Sequence, residues 1–206
     1  LNFNIDEKLI NFIQEYKNKI SLVSNERINC ELKRIIRGVN ALKSILLLKE
    51  LNLFGYEQSY KDLFWINLEE INFDELSQSE KDKFLPLFFI VQILDDLTLM
   101  KLKFGKDEIR KTKLLRKWHL TLRGRKISQL NELDRFNLHQ ELEEILPSFI
   151  FYLPKNLRLD WLNRWRNKDD KLFHPTNLVN GELIKKHLTI DDGPMLGDVL
   201  SYLSRE

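Results

Sequence analysis

Lys106, Arg110, Lys113 and Lys117 are spaced four, three and four residues apart. At 100° per residue that spacing puts all four cations on one face of a helix, within an arc of about 60° and along about 16 Å. A row of this kind can meet successive phosphates of a nucleic-acid strand. Each such contact releases counterions and adds about 0.7–0.9 to the salt slope of binding. The row lies in KFGKDEIRKTKLLRKWHLTLRGRK (103–126), where ten residues are Lys or Arg and only Asp107 and Glu108 are acidic. That stretch alone carries +8 in a chain whose net charge is +2, so the remainder sums to −6. Solubility does not require such segregation, although a solvated basic face without a partner has the same composition. Arg123, Arg125 and Lys126 extend the charge past the helix, and Lys185, Lys186 and His187 form a second, smaller patch.

A face of this kind needs a rigid support. Leu114, Leu115, Trp118 and Leu122 fall on the opposite side of the helix and anchor it to a core. With 206 residues, 43% hydrophobic and 31% charged, and with only 7 Gly and 5 Pro, the chain favours helix over turn-rich β structure. An all-α array of two or three modules follows. Asp6 caps a helix over 7–20 with Leu9, Ile10, Phe12, Ile13, Tyr16 and Ile20 toward its buried side. Ser24 caps a second over 25–37, with the stripe Ile28, Leu32, Ile35, Ile36 and a stop at Gly38. Asn40 opens a third over 41–52. Residues 57–82 carry a balance of −6, poor periodicity and the aromatics Tyr60, Phe64, Trp65 and Phe73. They form an acidic connector after a boundary near 56, either a solvated face or one that keeps RNA off the wrong surface.

A long apolar helix over 79–103 then centres the second module, with Pro86 in its first turn or kinking it. Helices follow over 107–123, 130–146 and 158–167, the last bearing Trp161 and Trp165; HPTN (174–177) links them to a closing helix-turn-helix over 181–188 and 195–204. In that tail Met195, Leu196, Val199, Leu200 and Leu203 are placed to pack onto the body.

Several chemistries are missing. The sequence contains no GxGxxG, GxxxxGK[ST] or HExxH motif, and its four histidines show no metal-like spacing. The adjacent pairs Asp95-Asp96, Asp169-Asp170 and Asp191-Asp192 diverge on any regular element. The lone Cys30 makes no internal disulfide and reads as a small buried helix residue in a reducing compartment, hence a cytoplasmic chain. No apolar run reaches the roughly 18 residues of a membrane span.

Two stretches carry a resemblance. Phe3, Ile5 and Asp6, then Ser24, Glu26, Arg27, Ile28, Glu31 and Leu32, then Leu51, Leu53 and Phe54 follow the pattern "F-x-I-D", "S-x-E-R-I-x-x-E-L" and a Leu-rich turn. Near the other end, Gly181, Leu183 or Ile184, Ile190, Gly193, Pro194, Leu196, Gly197 and Leu200 follow "G-x-x-L", an apolar residue, then "G-P-x-(apolar)-G-x-(apolar)-L". Together they cover about half of the chain. It resembles the region after the catalytic head in bacterial tRNA nucleotidyltransferases (CCA-adding enzymes) and poly(A) polymerases.

The resemblance implies a neck (1–56), a body (57–173) and a tail (174–206) that hold tRNA or another RNA while its 3′ end enters the head. It implies that Glu26, Arg27 and Glu31 belong to the neck motif bracing that head. The head's metal-binding Asp-x-Asp and Gly-Gly motifs have no counterpart here, and the chain reads as expressed or surviving without it. Divalent metal (Mg) and CTP or ATP are expected only in the head. This chain is expected to hold no cofactor and to be catalytically silent alone. CCA, A-only or C-only addition and poly(A) synthesis are not separable from these residues. From composition alone, a helical protein-interaction or regulatory module using Trp161, Trp165 and the acidic connector is the alternative.

Overall fold

The computed structural model describes residues 5–54, 68, 71–123, 125–175, 181–188 and 193–203. Among these the chain is all-α, with eleven α-helices and no strand. They are α1 (Glu7–Tyr16), α2 (Asn25–Arg37), α3 (Ala41–Leu51), α4 (Gln78–Ile93), α5 (Asp96–Lys101), α6 (Lys106–Leu122), α7 (Glu132–Leu142), α8 (Leu146–Phe149), α9 (Lys155–Arg166), α10 (Gly181–Leu188) and α11 (Pro194–Leu203), with short 3-10 turns between some of them.

Local chemistry sets several of these ends. Asp6 Oδ1 accepts from Leu9 N at 2.8 Å, and Ser24 Oγ accepts from Arg27 N at 3.4 Å. The α2 bounds match expectation, and Gly38 N closes that helix on Ile35 O at 3.1 Å. Ser77 and Glu80 form a reciprocal capping box at the start of α4.

α4 is the hub. Phe88, Phe89, Ile90, Val91 and Ile93 are buried on it, and it packs against α2, α3, α6 and α8. Phe73, from the segment before α4, meets Phe88, Phe89 and Phe151 edge-on with centroids 4.9–5.8 Å apart. One apolar cluster runs from Leu32, Ile36 and Ile45 through α4 to Leu162 and Phe173. In the tail, Gly181 lies where a Cβ would touch Leu196 and Leu200, so α10 and α11 pack on each other.

The structure corrects several expectations. The first helix stops at Tyr16 and continues as a 3-10 turn, Lys17–Leu22. Its apolar side is not buried: Leu9 is 47% and Phe12 56% exposed, because α1 leans on little beyond α3. The helix expected over 79–103 is two. Leu94 is extended, and Asp95 Oδ1 accepts from Thr98 N and starts α5 afresh. Of the two placements expected for Pro86 the first turn is excluded, since it stands well inside α4. The helix expected over 130–146 ends at Leu142, and Pro147 sits in the first turn of the next short helix, α8. Cys30 is exposed, since it lies off the Leu32–Ile36 stripe of α2. His174, read as part of a linker, is 6% exposed and joins Glu143 Oε1 (2.9 Å) to the Trp165 carbonyl (2.5 Å). Met195 is 64% exposed while Leu196 is buried. The boundary near 56, the acids Glu57, Asp62, Glu69 and Glu70, the aromatics Tyr60, Phe64 and Trp65, and Asp191-Asp192 lie outside the described residues.

Candidate nucleic-acid interface

Lys106, Arg110, Lys113 and Lys117 are all exposed along α6, and Leu115 and Trp118 are buried on its other side. Folding divides the four. Lys106 and Lys113 have side chains without an ion-pair or hydrogen-bond partner among the described residues. Lys117 Nζ sits 2.6 and 2.7 Å from the Glu141 carboxylate oxygens, which also accept from Trp118 Nε1 at 2.8 Å. Arg110 Nη2 lies 2.8 Å from Asp107 Oδ1 and 3.4 Å from Glu144 Oε2. Lys111 completes that cluster, 2.7 Å from Asp107 Oδ2. Lys111 and Arg110 hold the Asp107 carboxyl below its ordinary range, and Asp107 raises both cations in return. Exposed pairs of this sort contribute about 0–1 kcal/mol. A phosphate can therefore displace the carboxylate at little cost.

The ten cations counted in 103–126 are not one surface. Arg116 is buried, with its guanidinium bonded to Asp96 and to the Leu94 carbonyl, where it joins α6 to the α4–α5 turn. Lys103 leaves the row to pair with Glu26 on α2. Arg123 is exposed at the end of α6. In the tail, Lys185 pairs with Glu182 at 3.1 Å, whereas Lys186 and His187 are exposed.

The motif residues on α2 divide likewise. Glu26 is exposed and held by Lys103, whose hydrogen bond keeps its carboxyl below the usual range. Glu31 pairs with Arg34 at 3.0 Å, one turn on, and not with Arg27; Arg27 stays in solvent.

Sequence reading passed over the residues that tie α2 to the basic helix. Asn29 is 8% exposed, and its Nδ2 donates to the Leu102 carbonyl at 2.8 Å. Lys33 Nζ meets Glu108 Oε2 at 2.8 Å, the same oxygen that accepts from Gly105 N at the head of α6. With Lys103–Glu26, two contacts seat α2 on the α5–α6 link and one, Lys33–Glu108, on the first turn of α6. The only sequence signal for this was a polar Asn inside an otherwise apolar stripe.

Trp161 is 7% exposed, and Trp165 Nε1 donates to the Glu143 carbonyl at 2.7 Å. Trp161 is thus largely buried, while Trp165 is only partly covered, with Lys168 Nζ 5.0 Å from its ring centroid.

Residues 2–58 match the family model described as "Probable RNA and SrmB- binding site of polymerase A". The match is thus to a probable RNA-binding region of polymerase A. It comprises α1 to α3 and ends before α4. No curated protein and no solved structure matches the chain. The matched region carries its own exposed cations, Lys8, Arg27 and Arg37 among them, interleaved with acids that hide them from a running charge count. Among the described residues no group of three His, Cys, Asp or Glu could hold a metal ion, so the donors for a divalent metal are not gathered there. No helix among them is long and apolar enough to cross a membrane.

Proposed function

We propose that this chain is the RNA-holding part of a tRNA nucleotidyltransferase or poly(A) polymerase, placing an RNA 3′ end for a catalytic head that lies outside these 206 residues. Residues 1–56 serve as neck, 57–173 as body and 174–206 as tail, and the setting is cytoplasmic. The observation that carries the reading is the match over residues 2–58, on α1 to α3, to a probable RNA-binding region, with Asn29 and Glu26 of α2 tied to the α5–α6 link and Lys33 to Glu108 in the first turn of α6, which bears the exposed cation row. A-form RNA is held mainly through phosphates and shape. Cations fixed on packed helices meet that need without reading sequence. Magnesium and CTP or ATP belong to the head in this reading, and the chain alone adds no nucleotide.

The test is a gel shift of tRNA with the wild-type chain and with Lys106→Glu/Lys113→Glu. These two side chains have no partner to lose among the described residues, so the variant is expected to keep its fold, as its melting temperature will check. The reading expects binding that weakens about tenfold or more in the variant at low salt. Unchanged binding removes α6 from the interface, and incorporation of CTP or ATP at a tRNA 3′ end by this chain alone sinks the division of labour.

A further inference from the structure

A groove of about 980 Å³ opens between the end of α6 and the segment that runs from Phe151 into α9. Its size is within the roughly 300–1,000 Å³ typical of small-ligand sites. Arg125, Lys126 and Arg158 line it, and among the described residues none that lines it is acidic. In a chain with 33 basic and 31 acidic side chains, that is a selective lining. Its apolar wall presents the partly exposed Leu122, Ile127, Tyr152 and Leu157, with the buried Trp161 behind them.

The cations are arranged in two ways. Arg158 is fixed: its Nε donates to the Leu153 carbonyl at 3.0 Å and its Nη2 to the Phe151 carbonyl at 3.2 Å. Arg125 and Lys126 are exposed, and their side chains have no protein partner among the described residues. The backbone that carries them is held. Arg125 N donates to the Leu122 carbonyl at 3.0 Å, Lys126 N to Gln129 Oε1 at 2.7 Å, and Leu130, which is buried, closes on Ile127 at 3.1 Å. The groove therefore exists before any ligand arrives.

We propose that this groove takes an unpaired stretch of RNA, with a base laid on the apolar wall and the adjoining phosphates at Arg125 and Lys126. Cationic edges beside an apolar platform are what single-stranded nucleic acid requires. A free phosphate leaves the wall unused, and a base still paired in a duplex cannot reach it. The inference rests on the reading that this chain binds RNA. It adds to the backbone-holding row of α6 a second subsite of different chemistry.

Fluorescence anisotropy of labelled eight-nucleotide A and U oligomers with the whole chain tests it, with tRNA gel shifts in parallel. Arg125→Glu/Lys126→Glu removes the charge, and Ser128→Trp fills the groove from an exposed lining position without altering charge. Both are expected to weaken oligomer binding about tenfold at unchanged melting temperature, the size of one lost base stack. Lys106→Glu/Lys113→Glu is expected to change oligomer affinity by less than about twofold while weakening tRNA. Oligomer affinity unchanged in both groove variants overturns the subsite and leaves the α6 reading standing. Competition by inorganic phosphate or by an acidic peptide as strong as by the oligomer overturns the single-strand assignment. Failure of the wild-type chain to bind either RNA sinks both readings.

Discussion

Arg166 holds Glu80 through two hydrogen bonds across 86 positions of sequence, Nε to Oε1 at 2.8 Å and Nη2 to Oε2 at 2.6 Å. The same guanidinium reaches the Glu75 carbonyl at 2.9 Å, and the same carboxylate accepts from Ser77 N at the head of α4. One bidentate contact thus joins the last turn of α9 to the first turn of the hub helix.

The pair sets an acid limit on stability. Arg166 pulls the Glu80 carboxyl down to about 2 from 4.5. Its contribution is complete above pH 4.5 and is lost as pH falls through 2. Urea midpoints measured between pH 7 and 2.5 are expected to fall more steeply at the acid end in the wild type than in Glu80→Gln. Arg166→Ala is expected to cost about 1–2 kcal/mol at pH 7, as for a charge-assisted pair at a partly covered site.

His139 sets a second limit at milder pH. It is 3% exposed, with its ring against Phe173 (4.2 Å between centroids) and Trp161 (4.9 Å). Burial, reinforced by Arg164 and opposed by Asp170, lowers its pKa to about 4. The unfolded chain takes up a proton near pH 6.5 and the folded one does not, so stability is full above 6.5 and declines as pH falls toward 4. The decline is on the order of 3 kcal/mol. His139→Leu is expected to flatten the urea midpoint between pH 6.5 and 4.5.

Arg116 and Lys113 lie three residues apart on α6 and should respond oppositely. Arg116→Met leaves Asp96 and the Leu94 carbonyl without their donor and is expected to cost about 3 kcal/mol in chemical denaturation. Lys113→Ala is expected to stay within about 0.5 kcal/mol of the wild type. RNA binding follows the reverse order once each variant is measured at a temperature where it is folded.

The salt dependence of tRNA binding should resolve the row. Lys106→Ala and Lys113→Ala are each expected to lower the slope of log affinity against log salt by about 0.7–0.9. Lys117→Ala is expected to lower it less, because Glu141 already neutralises that side chain.

Asn29 joins the family-matched region to the α5–α6 link. Asn29→Ala leaves the buried Leu102 carbonyl unsatisfied, and denaturation should show a loss of about 1–3 kcal/mol. Asn29→Asp should be worse, since it sets a carboxylate against that carbonyl.

The helical class and the bounds of α2 were legible because Ser24, the 32–36 stripe and Gly38 are all local signals. So was the exposed face of α6, which needs only the period of a helix. What escaped was set by distant partners. The apolar side of α1 was taken for a buried one because periodicity reports a face and not whether anything covers it. The break at Leu94 was hidden inside an apolar run, although Asp95 could have announced it as a cap. The charge count overstated the basic cluster, since Glu141 and Glu144 reach α6 from positions some 30 residues away and Arg116 turns inward. The Arg158 side of the groove had no signature at all, because it depends on where α9 comes to rest beside the end of α6.

The apolar cluster that runs into Phe88 and Phe89 takes Leu32, Ile36, Ala41 and Ile45 from α2 and α3 and its other buried members from Leu68 onward. Those two stretches are mated by side chains as well as by the peptide link. A chain cut between α3 and α4 is therefore expected to stay associated through this shared core, so that separately expressed halves would complement each other.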